Sequence, residues 1–208
     1  MKVLSINVTT TVHQGDWTGN MGSTGIDKQS VSGPVVFAND GVTDDVIVDR
    51  EHHGGFDQAV YAYAREDADW WQTQLGIQIE NGRFGENLTT SGLDVNSALI
   101  GERWKIGNVI LEVSQPRIPC RTFAGFWQRP TLIKEFMAAG RPGTYLRIIQ
   151  EGEITAGDEI EIISKPNHAI TIADLYAAKN GERSKVQEIA DVKELSRNYR
   201  EWAKHLAL

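Results

Sequence analysis

Short β-type runs punctuated by turn residues dominate this chain as far as residue 165, and they constrain its fold more than any other feature. Val3–Val8, Pro34–Phe37 and Val46–Val48 are such runs. Ile100–Ile106 and Val109–Val113 follow, facing one another across Gly107-Asn108, a pattern that predicts a hairpin. Tyr145–Ile149 and Glu159–Ile163 complete the set. Only two helices are expected among them, at Asp57–Leu75 and Pro130–Ala139. Many short strands must find partners, so a mainly β barrel or folded-over sheet is expected, and closure would remove vulnerable edges. The pattern changes at Ser164-Lys-Pro-Asn167, after which Thr171–Ala178, Ser184–Ala190 and Glu194–Leu206 read as helices. This predicts a β-barrel domain over residues 1–165 and a three-helix C-terminal appendage over 166–208. The appendage is too small to be stable alone and should pack on the barrel or on another chain.

Charge and termini exclude several functions. A formal charge of -7 argues against general nucleic-acid binding, which needs a surplus of Lys and Arg to neutralise phosphates. The start, Met1-Lys-Val-Leu-Ser-Ile-Asn7, turns polar too soon for a signal peptide, and no apolar run approaches membrane-spanning length. A cytoplasmic location is the expectation.

Cys120 is the only cysteine in 208 residues. A lone thiol forms no internal disulfide, so it is either a small buried hydrophobe, the commoner case, or a reactive group. Its surroundings favour reactivity. Arg117 and Arg121 flank it, and nearby positive charge favours the thiolate. Pro116 and Pro119 stiffen the loop by fixing φ and removing two amide donors.

Three other stretches carry chemistry. Gly15–Gly25 is a glycine-rich loop, but Lys28 is followed by Gln29 rather than Ser or Thr, so it is not a phosphate-binding P-loop. Arg50-Glu-His-His-Gly-Gly-Phe-Asp57 places His52 and His53 before two glycines, which allow close backbone approach to a ligand. A helix starting just after Gly55, capped by Asp57, would aim free amides at a small anion there. The His-His spacing is wrong for zinc, and no second cluster completes a zinc site. Asn81–Thr89 is a turn that could set Arg83 or Asn87 beside a ligand.

Taken together, these motifs resemble the MOSC domain family, in its YiiM-like branch. The matching pieces run in family order: Thr24-Gly-Ile-Asp-Lys28, Gly33-Pro-Val35, His53-Gly-Gly-Phe-Asp-Gln-Ala-Val-Tyr-Ala-Tyr63, Gly82-Arg-Phe-Gly-Glu-Asn-Leu88 and Gln115-Pro-Arg-Ile-Pro-Cys120. The resemblance covers nearly the whole chain, the three C-terminal helices included. It implies a MOSC-type β-barrel that holds the molybdenum cofactor, with the Cys120 thiolate as protein ligand to the metal. It also implies reductive cleavage of N–O bonds in small N-hydroxylated substrates such as hydroxylaminopurine-type bases. A separate reductase would supply electrons, since four cysteines for an iron–sulfur cluster are absent.

The residues agree with what the resemblance implies. A soft thiolate suits a metal already held by sulfur. Cofactor contacts are expected from Arg50, His53, Gly54, Gly55, Tyr61, Arg83, Asn87, Arg117 and Arg121 together with Cys120. The catalytic set is expected to be Cys120, Asp57 and His53, with Asp57, Glu86 and His53 as candidate proton donors. Gln58 departs from the family, which often has a basic residue there; one cation is lost from the presumed cofactor site. A sulfur carrier using a Cys120 persulfide, or a barrel that binds the cofactor without catalysis, are the alternatives. A homodimer is left open.

Overall fold

The computed structural model describes residues 1–38, 41–50 and 53–207. One eight-stranded mixed sheet organises the chain, in the order β13-β9-β10-β11-β7-β8-β1-β4. In sequence these strands are β1 (Lys2–Thr9), β4 (Lys28–Val31), β7 (Val60–Ala64), β8 (Leu88–Ser91), β9 (Arg103–Ile106), β10 (Val109–Pro116), β11 (Thr144–Gln150) and β13 (Ile160–Ser164). Two small ribbons accompany it: β2 (His13–Gln14) with β3 (Ser23–Thr24), and β5 (Val35–Ala38) between β6 (Gly41–Val42) and β12 (Gly152–Ile154). The hairpin across Gly107-Asn108 is present, with Val109 opposite Ile106. Gly107 takes φ 57°, a left-handed turn conformation that glycine enters at little cost.

The expected closed barrel is not found among the described residues. The sheet folds over far enough to bring Met1–Val3 against the turn before β13, with one isolated bridge, Lys2–Glu159. The hydrogen bonds Val3 N–Asp158 O and Ile160 N–Met1 O, both 3.0 Å, hold it there. The ladder does not continue, because β4 occupies that edge of β1 from Ile6 onward. Two further expectations fail. Val46–Val48 is not a strand but a loop. The helix expected over Asp57–Leu75 begins only at Arg65, as α1 (Arg65–Leu75). Ahead of it come a single 3₁₀ turn at Phe56–Gln58 and then β7. Val60-Tyr-Ala-Tyr-Ala64 is buried at every position and pairs with β11 on one side and β8 on the other. A strand buried on both faces has no period-two signature, so it reads like part of an apolar helix. Its pairing with β8 is the one parallel pairing in the sheet, and α1 makes the crossover.

The remaining helices are α2 (Arg121–Phe126), α3 (Leu132–Ala139), α4 (Ile172–Lys179), α5 (Val186–Ala190) and α6 (Arg197–Leu206). A capping box starts α4: Thr171 Oγ1 accepts the Asp174 N–H while the Asp174 carboxylate accepts the Thr171 N–H. Leu175, Ile189, Leu195 and Ala203 from the C-terminal segment join Val3, Trp104, Val113 and Leu146 of the sheet in one buried cluster. A second cluster is aromatic and gathers Tyr61, Tyr63, Trp71, Phe84, Phe123 and Phe136, with Cys120 packed against its edge. Truncating a fully buried ring such as Phe123 costs about 3–5 kcal/mol, so the wall beside Cys120 is stiff. No helix among the described residues is long and apolar enough to cross a membrane.

Candidate functional site

Cys120 sits where β10 gives way to α2. Residues Arg117–Pro119 carry the chain out of the strand, and Cys120 itself, extended at φ -120°, is the N-cap of α2. An N-cap side chain meets the free amides of the first turn, and here the Phe123 backbone N–H is the amide that favours the thiolate. Burial pushes the thiol up. A hydrogen bond from the His53 side chain, the charge of Arg117 and the Phe123 amide outweigh burial, and the thiol settles at about 6. Cys120 is half-buried, so the thiolate is both stabilised and reachable.

Cys120 opens into a cavity of about 400 Å³, a size suited to a small ligand or cofactor. Arg117 lines it from beneath. Its guanidinium stacks 3.9 Å over the Phe123 ring, and its Nη1 is buried with no hydrogen-bond partner among the described residues. A buried unpaired guanidinium nitrogen is costly and points to a missing acceptor. Tyr145, opposite Gln115 in the β10–β11 ladder, adds a phenol that burial pushes up to about 12 against the pull of Arg117. Tyr61 of β7 donates to the Pro142 carbonyl at 2.8 Å.

Opposite these lies a buried polar cluster. The Asn87 side-chain oxygen accepts the Tyr61 N–H at 3.1 Å, and its amide donates to Asp45 Oδ2 at 2.8 Å. Asp45 also accepts from the Thr9 N–H at 3.0 Å and from Lys28 Nζ, while the Thr9 hydroxyl donates to the Gly25 carbonyl at 2.6 Å. The side chains of Lys28 and Asp45 are 8% and 3% exposed. Burial pushes the Asp45 carboxyl up, but Lys28, Asn87 and Thr9 outweigh it and hold it below its ordinary value. Burial drives Lys28 below its ordinary value, against the opposing pull of Asp45 and Glu86.

The structure brings together His53, Gly54, Tyr61, Asn87, Arg117 and Cys120 of the residues anticipated from sequence. Gln58 also lines the cavity. The rest lie elsewhere, and for definite reasons. Asp57 is held by Arg147, whose Nε donates to its Oδ1 at 2.7 Å. Arg83 stacks 4.0 Å over Phe126 and faces a separate groove beside Trp127. Arg50 and Arg121 are exposed, and Gly55 is not among the lining residues. The anion site expected at a helix start after Gly55 has no helix behind it. Glu86 is buried in a structural knot, accepting from Gly82 N, Phe84 N and Thr89 Oγ1 at 2.6, 3.0 and 2.8 Å. His52 lies outside the described residues.

Sequence reasoning misses Lys28, Asp45 and Tyr145 as members of the site. Lys28 draws attention in the sequence through its failure to complete a P-loop pattern and as the end of the matching Thr24–Lys28 stretch, and neither gives it a role at Cys120. Asp45 and Tyr145 carry no local signal, since only the folded sheet sets them facing Cys120.

Comparisons with known proteins bear on the family and the fold. The MOSC domain profile matches residues 49–161. The chain is 30% identical over 157 residues to an uncharacterized protein, YflK, of Bacillus subtilis (strain 168), covering 76% of this chain and 71% of that one. It is 33% identical over 147 residues to a protein named Reductase of Gibberella moniliformis, covering 67% of this chain but only 25% of the longer relative. The crystal structure of YiiM from Geobacillus stearothermophilus superimposes with a TM-score of 0.83 at 29% identity, over 100% of this chain and 99% of that one.

Proposed function

The chain belongs to the MOSC domain family, and on that premise we propose that it holds the molybdenum cofactor through Cys120 and reduces the N–O bond of small N-hydroxylated compounds, hydroxylaminopurine-type bases among them. The observation that carries the reading is a thiol held at about 6 in the same cavity as the orphaned Arg117 Nη1. The donor set fits the group. A thiolate suits a soft, sulfur-bound metal, and a buried unpaired guanidinium suits an anionic one. When bound, the cofactor would supply two-electron chemistry at the cavity.

The residues of the chain do the rest. His53 and the Phe123 amide keep Cys120 as the thiolate that ligates. Arg117 offers charge and a free donor to the anion. Tyr61 and Asn87, each fixed by its own hydrogen bonds, hold the wall rigid. Reduction of R–NH–OH to R–NH₂ and water consumes two electrons and two protons. The electrons would come from a separate reductase acting in the cytoplasm. The relative named Reductase, of which this chain matches a quarter, supports a redox role. The same reading treats residues 1–165 as the MOSC unit and 166–208 as its helical appendage.

Metal analysis of the protein, made in a host that produces the cofactor, tests the reading. Wild type should carry molybdenum and pterin, and Cys120→Ser should lose most of both. A metal-free wild type with cyanide-labile sulfur on Cys120 would overturn the reading in favour of a sulfur carrier.

A further inference from the structure

We propose that Lys28 is the general acid of this site, giving its proton to the departing oxygen as the N–O bond breaks, with Asp45 as the residue that positions it. The inference rests on the reductase reading above and supplies the proton donor that reading lacks.

Geometry carries it. Asp57 and Glu86, the carboxylates expected in this role, do not reach the cavity: one is bound to Arg147, the other is closed off by three donors. His53 reaches it but is engaged with the Cys120 sulfur. Asp45 reaches it too, but its two oxygens already accept from Thr9 N, Lys28 and Asn87. It is a fixed anion with no proton to give. Lys28 differs. An ammonium has three N–H donors, and Asp45 is the acceptor found for its Nζ among the described residues. Two N–H bonds remain for the cavity. Lys28 also lines a second, polar groove on the other side, beside Glu80, Arg83 and Trp127. It therefore lies between the Cys120 cavity and a second groove, from which it can be reprotonated while substrate occupies the cavity. The charged groups acting on it are Asp45 and Glu86; Asp49, His53 and Arg117 line the same cavity, and Asp27, Glu80 and Arg83 line the groove. Burial, its largest influence, makes its proton easier to give up.

The step balances as follows. Two electrons from a low-potential donor, reduced viologen in the assay, enter as the N–O bond breaks. The oxygen leaves as hydroxide and takes the Lys28 proton to become water. The nitrogen takes its proton from solvent, and Lys28, left as the neutral amine, is recharged through the groove.

The test compares cofactor-loaded wild type, Lys28→Arg and Lys28→Met, using an N-hydroxylated aminopurine and reduced methyl viologen across the pH range. Lys28→Arg keeps the charge against Asp45, so it guards against simple misfolding. The expected result is unchanged molybdenum content and Cys120 titration, with kcat lowered by about a hundredfold or more. Wild-type kcat should fall as pH rises through the Lys28 pKa, and that limb should be missing in Lys28→Arg. Cofactor-free protein gives an independent readout: the Lys28 side-chain NMR signal, identified by its loss in Lys28→Arg, should titrate below the ordinary lysine value. Active Lys28→Arg with a wild-type pH profile would overturn the inference alone. Loss of molybdenum from Lys28→Arg would also overturn it, making Lys28 a cofactor ligand. An inactive, cofactor-loaded wild type would overturn the reductase reading itself, and this inference with it.

Discussion

Replacing His53 with alanine should raise the Cys120 thiol pKa by about one to two units. The magnitude follows from the parts of the site. Burial alone would push the thiol up, and it lies at about 6 only because three groups oppose burial. The His53 hydrogen bond is the largest of them, ahead of Arg117 and the Phe123 amide. A hydrogen bond to a charged group contributes about 1.5–3 kcal/mol, and one pKa unit corresponds to about 1.4 kcal/mol. At neutral pH the wild-type protein should hold about ten thiolates for every thiol, and His53→Ala about one or fewer. The assay is the thiolate ultraviolet absorbance of cofactor-free protein against pH, checked by the pH dependence of alkylation. Cys120 is the only cysteine, so Cys120→Ser gives a clean blank. Stability should follow the same group. A thiol lower in the folded than in the unfolded chain adds stability that is complete above about 8.5 and fades as pH falls through about 6. That rise with pH should shrink in His53→Ala. A titration midpoint still near 6 in the variant would refute the argument, because Arg117 and the Phe123 amide would then suffice alone.

Two further outcomes are expected. Glu86→Gln keeps one oxygen, which can still accept from Gly82 N and Thr89 Oγ1, but turns an NH2 donor toward the Phe84 N–H, and should cost about 1–3 kcal/mol in urea unfolding. Gly143→Ala should lower Tm by about 4–8 °C in a thermal melt: its φ is +67°, and the added Cβ would lie 2.6 Å from the Ala62 carbonyl oxygen and 2.7 Å from Tyr63 Cδ2, disturbing the strand that carries Tyr61.

Features that obey local rules are legible in the amino-acid sequence alone. The hairpin at Gly107-Asn108, α3 ending at Gly140, the three C-terminal helices and the stiff cationic loop around Cys120 each depend on neighbours within a few positions. Local chemistry therefore specifies them. Other features depend on partners far along the chain. Val60–Ala64 is a strand because β11 and β8 lie on either side of it, and nothing within the segment says so. Once it is a strand, the helix start expected after Gly55 disappears, and Asp57 turns to Arg147, ninety residues away. The same long-range pairing decides the site. Lys28, Asp45 and Asn87 come from three separate stretches, and Tyr145 faces Cys120 only because β11 lies beside β10. The sequence by itself singled out Cys120 as the candidate thiol, since the arginines and prolines that flank it are adjacent residues. Only the tertiary structure decided which groups meet it, because burial and pairing belong to the folded sheet as a whole.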